Sequence, residues 1–232
     1  MINGLSDGTI VIKIGGSQQK SHEDILNQAL NIKKLYEEGH KVVAVLSAHN
    51  GNTEGIIKNS DNPWDWIKGE WFAVDYMRDL LQKVGVSCLT FKQNNGFPLI
   101  GDINAPEGVE ANLEHLMADN LPALVAGFGL INYDGTLSLV RNGSDDVAAI
   151  LASKLKNSTL IYQKDVRGIY YPWPDGELLR EVDSSWLLDK VESGEISKVM
   201  SMGAIKVIHA HRINTHVCNL EYWLDGTEIY WK

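Results

Sequence analysis

Two short apolar runs rich in β-branched residues, separated by one helix-length segment, constrain this chain more than any other feature. Thr9 to Ile14 (TIVIKI) and Lys41 to Ser47 (KVVAVLS) have the composition of strands buried on both faces of a sheet. Between them, Glu23 to Glu38 sets Ile25, Leu26, Ala29, Leu30, Ile32 and Leu35 on one helical stripe and stops near Gly39. Strand, helix and strand at this spacing predict a parallel pair joined by a right-handed crossover. Both strand ends then emerge on one edge of the sheet, where open α/β sheets bind their ligands.

The alternation continues along the chain. Asn62 to Gly69 predicts a loop or short helix over the site edge, Glu70 to Leu81 a helix and Val86 to Phe91 a strand. Asn94 to Gly108 reads as irregular, and Glu110 to Ala118 as a short helix. Pro122 to Phe128 predicts a strand, and Gly129 to Val140 a hairpin that turns at Asp134-Gly135. A strand over Ser158 to Gln163 delivers Lys164-Asp165-Val166-Arg167-Gly168 to the ligand edge, before Tyr170, Tyr171 and the loop WPDGE. Ser184 to Val191 predicts a serine-capped helix. Val199 to Ile213 predicts another, which brings Lys206, His209 and His211 together. Thr215 to Leu220 and Thr227 to Trp231 are the final expected strands. A length of 232 residues suits one large α/β domain over residues 1–232 better than two small ones.

Composition excludes several function classes. A net charge of −9 without a basic run argues against nucleic-acid binding. No stretch approaches the ~20 apolar residues that span a bilayer, and MINGLSDGTIVIKIGG is no signal peptide. Cys88 and Cys218 lie far apart, in keeping with reduced structural thiols and a cytoplasmic setting. His209, His211 and Cys218 match no common zinc spacing, and ordinary polar histidines account for them better.

Three more polar stretches meet the predicted sheet edge. Lys13 sits inside an apolar strand, where a lysine is costly without an anionic partner, and runs into Gly15-Gly16-Ser17. The second strand opens into AHNGNTEG. Leu139 to Lys156 (LVRNGSDDVAAILASKLK) combines a sharp turn at Arg141 to Asp145 with a helix carrying Val147, Ile150, Leu151 and Leu155. Ser144 is a suitable N-cap there, and Asp145 a suitable first-turn acid. A capped helix packed on a sheet and a snorkelling strand lysine would explain much of this. They do not explain an arginine and the second acid Asp146 in the same turn, which suits binding of a carboxylate or phosphate. Neither a Walker A sequence nor GxGxxG is present.

Read together, these segments resemble the amino acid kinase family, and within it the catalytic domain of aspartate kinases. VIKIGGS resembles the family's Lys-x-Gly-Gly-x-Ser opening, and VLSAHNGNT its Val-Ser-Ala-x-x-Gly-x-Thr segment. Gly69-Glu70 resembles its Gly-Glu stretch, and LVAGFGLINYDGTLSLVRNGSDDVAAILASKL its Gly-Phe…Asp-Gly…Gly-Ser-Asp block. The resemblance implies a three-layer α/β/α sandwich around a central, mainly parallel sheet. It also implies a cytoplasmic homodimer that uses ATP and Mg2+ to phosphorylate the side-chain carboxylate of aspartate or a close analogue. Lys13, Asp145 and Lys206 then match the catalytic positions. Gly15, Gly16, Ser17, Lys164, Asp165, Gly168 and Tyr170 match the nucleotide side. Ser47, Thr53, Glu70, Arg141 and Ser144 match the amino-acid side, with Arg141 gripping a carboxylate as a fork and Glu70 receiving the ammonium.

The chain departs from the family pattern at several points. Arg167 replaces the second Asp of the nucleotide loop, Trp173-Pro174-Asp175 replaces Asp-Pro-Arg, and the GGS turn lacks an extra Thr. Lys206 is displaced by one residue relative to Gly203. The sequence ends at Lys232, just past the kinase segment, so the expectation is a catalytic unit without the regulatory tandem of aspartate kinases. A family enzyme for another small carboxylate or phosphonate, and a catalytically silent nucleotide-binding relative, are the alternatives.

Overall fold

The computed structural model describes residues 8–49, 55, 59–116, 118–140, 143–172, 175–196, 199–219 and 225–231. The first half contains β1 (Thr9–Ile14), α1 (His22–Glu37), β2 (Lys41–Leu46), α2 (Pro63–Trp66), α3 (Lys68–Lys83), β3 (Leu89–Phe91), β4 (Leu99–Ile100) and β5 (Glu110–Ala111). Next come β6 (Ala123–Ala126), β7 (Gly129–Ile131), β8 (Leu137–Leu139), α4 (Gly143–Lys154), β9 (Thr159–Gln163), β10 (Ile169–Tyr171) and β11 (Glu177–Leu179). The last elements are β12 (Glu181–Asp183), α5 (Ser184–Glu192), α6 (Met202–His211), β13 (Asn214–Cys218) and β14 (Thr227–Tyr230).

An eight-stranded sheet in the order β12-β14-β13-β9-β1-β2-β6-β3 forms the centre. All its pairings are parallel except β13 with β14. Period-two alternation divides each strand between two cores. Ile10, Ile12 and Ile14 face α1 and α3, whose Ala29, Ile32, Val74 and Met77 are buried against them. Val11, Val45, Leu160 and Tyr162 face the opposite layer, with Val147 and Ile150 of α4 and Ile205 and Ile208 of α6. Each fully buried Ile or Leu in these layers contributes about 1.5–3 kcal/mol of apolar burial. The arrangement is the expected three-layer α/β/α sandwich.

Helix boundaries follow their caps. Ser21 and Asp24 form a reciprocal capping box that starts α1. Asp183, rather than Ser184, caps α5, its carboxylate accepting from Ser185 N at 3.0 Å and Trp186 N at 3.3 Å. Residues 110–116 do not form the expected helix. Glu110 and Ala111 instead pair antiparallel with Ile100 and Leu99, and Asn112 N donates to Pro98 O at 2.8 Å. Pairing within the four-stranded sheet β5-β4-β7-β8 satisfies that backbone, and tertiary context overrides local propensity. Ile169–Tyr171 and Glu177–Leu179 form a further hairpin that the loop-like WPDGE composition hid. Among the described residues, no helix is long and apolar enough to cross a membrane.

Candidate functional site

The site begins with register. β1 and β9 are adjacent and parallel, with Lys13 opposite Tyr162. Lys13 shares the Val11 face of β1, and Lys164 follows Tyr162 by two residues, so both lysines reach the layer that holds α4. They converge on Asp145 in the first turn of α4. Lys13 Nζ lies 2.8 Å from Asp145 Oδ1, and Lys164 Nζ lies 3.1 Å from Oδ2 and 3.2 Å from Oδ1. Ser201 N, at the start of α6, donates to Oδ2 at 3.1 Å, and the Tyr162 hydroxyl donates to the Asp145 carbonyl at 2.8 Å. Two strands and two helices are therefore fastened to one residue.

Electrostatics follow from that geometry. Burial pushes the Asp145 carboxyl up, but the Lys13 and Lys164 ammoniums and their hydrogen bonds outweigh burial and hold it below the ordinary carboxylate value. Burial and the nearby Lys13 charge lower Lys164 to about 8, against the opposing pull of Asp145 and Asp165. Two ammonium groups share the Asp145 carboxylate, with the Asp165 charge acting on Lys164 and the Asp146 carboxyl near Lys13. A side chain at Gly15 would stand 3.4 Å from Lys13 Nζ and 3.7 Å from Ser17 Oγ, which places the glycine turn directly beside the lysine. Gly16 and Ser17 lie in a short 3-10 turn, Gly16–Gln18. This arrangement can hold a multiply charged anion at the ends of β1 and β9.

The remaining expected residues fall in two places. Ser17 and Asp165 line an open cavity of about 660 Å3, together with Lys20, Asp24, Asn27, Leu30 and Asn219. Gly168 is buried near β14, where Ile169 N donates to Thr227 Oγ1 at 2.8 Å. Tyr170 sits on β10 opposite Leu178. On the other side, Ser47 Oγ and Ser144 Oγ are 2.8 Å apart. Ser144 is thus not the N-cap: α4 already begins at Gly143, and the Ser144 hydroxyl is turned to the end of β2. Glu70, 2% exposed in the first turn of α3, accepts from Ala48 N at 3.2 Å. Thr53 and Arg141 lie outside the described residues.

Lys206 does not join the cluster. It is exposed and pairs with Glu192 of α5 at 3.4 Å. On the same helix, His209 meets Ser184 at 3.0 Å and His211 lies 4.0 Å from Glu107. The reason is helical phase: α6 buries Ala204, Ile205, Val207 and Ile208, which leaves residue 206 on the outer face.

Three supporting residues, Gln19, Arg180 and Asp225, escaped the sequence reading. Gln19 donates to Ser47 O at 2.9 Å and ties the glycine turn to the end of β2. Asp225 lies between the guanidinium groups of Arg167 and Arg180. Arg167 Nε also donates to Asp225 O at 3.1 Å, so the departure at 167 anchors the loop to the sheet's far side. Asp146 is buried beside Asp145; burial, then the Asp145 charge, raises it to about 6.

Gly203 makes that packing possible, because a Cβ there would lie 2.0 Å from Asp146 Oδ1. Gly203→Ala is expected to cost about 1–3 kcal/mol, the range for overpacking a filled interior. Gly108→Ala, where a Cβ meets nothing within 4 Å, provides the control. Urea midpoints that match for the two variants would refute the packing argument.

The amino acid kinase family profile matches residues 8–219 of the chain. An aspartokinase of Helicobacter pylori is 29% identical over 210 residues, covering 84% of this chain and 51% of that protein. This chain spans about half the length of the curated relatives it matches. The crystal structure of aspartate kinase from Synechocystis superposes with a TM-score of 0.79 at 23% identity, over 97% of this chain and 40% of that one. Carbamate kinase from Giardia lamblia bound to AMP-PNP superposes with a TM-score of 0.71 at 18% identity, over 97% of this chain and 99% of that one.

Proposed function

This chain belongs to the amino acid kinase family, and we propose on that basis that it transfers the γ-phosphoryl group of ATP to the side-chain carboxylate of aspartate or a close analogue. A carboxylate oxygen attacks the γ-phosphorus, and the bond to the bridging oxygen breaks. ADP leaves with that electron pair, and an acyl phosphate forms. Phosphoryl transfer asks the protein for position and positive charge more than for a nucleophile. The observation that carries the reading is the Asp145 carboxylate shared by Lys13 and Lys164, 2.8 and 3.1 Å away. It fixes two cations at a strand edge before any anion arrives. The name aspartokinase on the curated relative and the ATP analogue in the Giardia structure support the substrates in kind.

Gly15, Gly16 and Ser17 would offer the phosphates backbone and hydroxyl donors beside Lys13. Among the described residues, no group of three or more His, Cys, Asp or Glu gathers as a cation cage. A magnesium ion would enter on the nucleotide and neutralise phosphate charge from there. On the amino-acid side, Glu70 would take the ammonium, with Ser47 and Ser144 beside it.

The test is hydroxylamine trapping during ATP turnover over a panel of small acids, because an acyl phosphate yields a hydroxamate. No hydroxamate with any acid would sink the reading. Its finer part concerns aspartate. Succinate lacks the ammonium that Glu70 would receive, so its kcat/KM is expected to be lower by about 100-fold or more. Glu70→Gln should shrink that gap by lowering the aspartate value. Equal kcat/KM for succinate and aspartate in the wild type would remove Glu70 from ammonium recognition.

A further inference from the structure

We propose that Lys164, at the end of β9, is the second cation that contacts the transferring phosphoryl group, in the role that family resemblance gives to Lys206 on α6. The inference rests on the kinase reading above and adds a residue assignment specific to this chain. Three observations carry it. Lys164 Nζ already shares the carboxylate that orients Lys13, 3.1 and 3.2 Å from the two Asp145 oxygens. Its side chain is mostly buried, and its ammonium lies 5.5 Å from the Tyr162 ring centroid, so its direction is set by packing. Lys206 is 58% exposed at its side chain and is held toward Glu192.

Helix geometry makes the exchange definite. At about 100° per residue, the buried positions 204, 205, 207 and 208 centre on a direction about 180° from residue 206. Bringing Lys206 inward would require α6 to turn half-way round, exposing Ile205 and Ile208 and breaking the cap in which Ser201 Oγ accepts from Ala204 N at 3.1 Å. The one-residue displacement of this lysine relative to Gly203 therefore removes it from the site. A lysine from the parallel neighbour of β1 stands in the site without any such movement.

The assignment has a pH signature. The charged groups facing Lys164 are Lys13 from β1, Asp145 from α4 and Asp165 on its own loop; α6 contributes the uncharged Ser201, and Tyr162 is a neutral phenol at the pH values concerned. Lys164 is lowered to about 8, so the free enzyme loses this charge as pH rises through that value. Bound phosphates pull the proton back. The alkaline limb of kcat/KM, which reports the free enzyme, should thus lie below that of kcat.

The experiment compares Lys13→Met, Lys164→Met and Lys206→Met in hydroxamate turnover, and measures their affinities for AMP-PNP and ADP by calorimetry. Lys164→Met is expected to lower kcat by about 100-fold and to reduce the preference for AMP-PNP over ADP by about 10-fold, the scale of one charge-assisted hydrogen bond. Lys206→Met should stay within about 3-fold of wild type in both, because it breaks only an exposed pair. Lys164→Arg keeps its charge past pH 12 and should move the alkaline limb upward, a readout that a purely structural role would leave in place. Loss of turnover and nucleotide preference in Lys206→Met, with both intact in Lys164→Met, would overturn the assignment. Full turnover in Lys13→Met would instead bring down the kinase site itself, and the assignment with it.

Discussion

Asp145→Asn is expected to lower kcat by about 1000-fold and to destabilise the fold by about 3–5 kcal/mol, the range for removing one partner from a buried ion pair. Both effects follow from one geometry. Asp145 is 4% exposed, and its carboxylate is the anion that Lys13 and Lys164 share. An amide of the same shape keeps the packing but leaves two ammoniums repelling each other in a buried place. The same amide can present an NH2 group where Ser201 N now donates, so the start of α6 would loosen as well. The sign of the pH dependence distinguishes charge from shape. The Asp145 carboxyl is held below its ordinary value of 3.8, so the stability it contributes is fully present above that pH and is lost as pH falls through the lower folded value. The urea-derived difference between wild type and Asp145→Asn should therefore narrow in acid, as pH falls below 3.8. A difference that stayed constant into strong acid would assign the loss to shape alone.

Much of the fold was legible because β1, α1 and β2 are locally unambiguous. Apolar β-branched runs, a 3.6-residue stripe and a glycine stop all point to the same answer. The central strands β6 and β9, and the hairpin at Asp134-Gly135, were read for the same reason. Segments stabilised only by distant partners were not. Glu110 to Ala118 carries no local mark of Leu99 and Ile100, with which Glu110 and Ala111 pair. The hairpin of β10 and β11 is likewise hidden behind a loop-like Pro/Gly sequence.

The site divides along the same line. Lys13 was legible because it breaks a local rule, a lysine in a buried strand, whereas Asp145 read as an ordinary first-turn acid and took its role from the family resemblance. Lys164 was read as one member of a nucleotide loop, and its meeting with Asp145 depends on β9 lying next to β1. A signal existed: residues 162 and 164 alternate onto one face, and the residue opposite 162 on the neighbouring strand is Lys13. Lys206 was grouped with Lys13 and Asp145 because motif matching tolerates a one-residue shift, whereas a helix converts that shift into about 100° of rotation.

Lys13→Ala is expected to lower kcat by about 1000-fold while costing less stability than Asp145→Asn. The asymmetry follows from what each substitution leaves behind. Without Lys13, Asp145 still pairs with Lys164 at 3.1 Å and still accepts from Ser201 N, so no buried charge is stranded. What disappears is the ammonium closest to the Gly15 turn, where the developing charge of the phosphoryl group would sit. An interaction that strengthens in the transition state affects kcat more than KM, so KM for ATP should change by less than about 10-fold. Lys13→Arg retains the charge but substitutes a planar fork for a compact ammonium in a buried niche, and it should recover little of the rate. Steady-state kcat and KM for both variants, together with their urea midpoints, decide the matter. A folded Lys13→Ala protein that turns over at the wild-type rate would remove Lys13 from the chemistry and leave Asp145 as a structural clamp between strands.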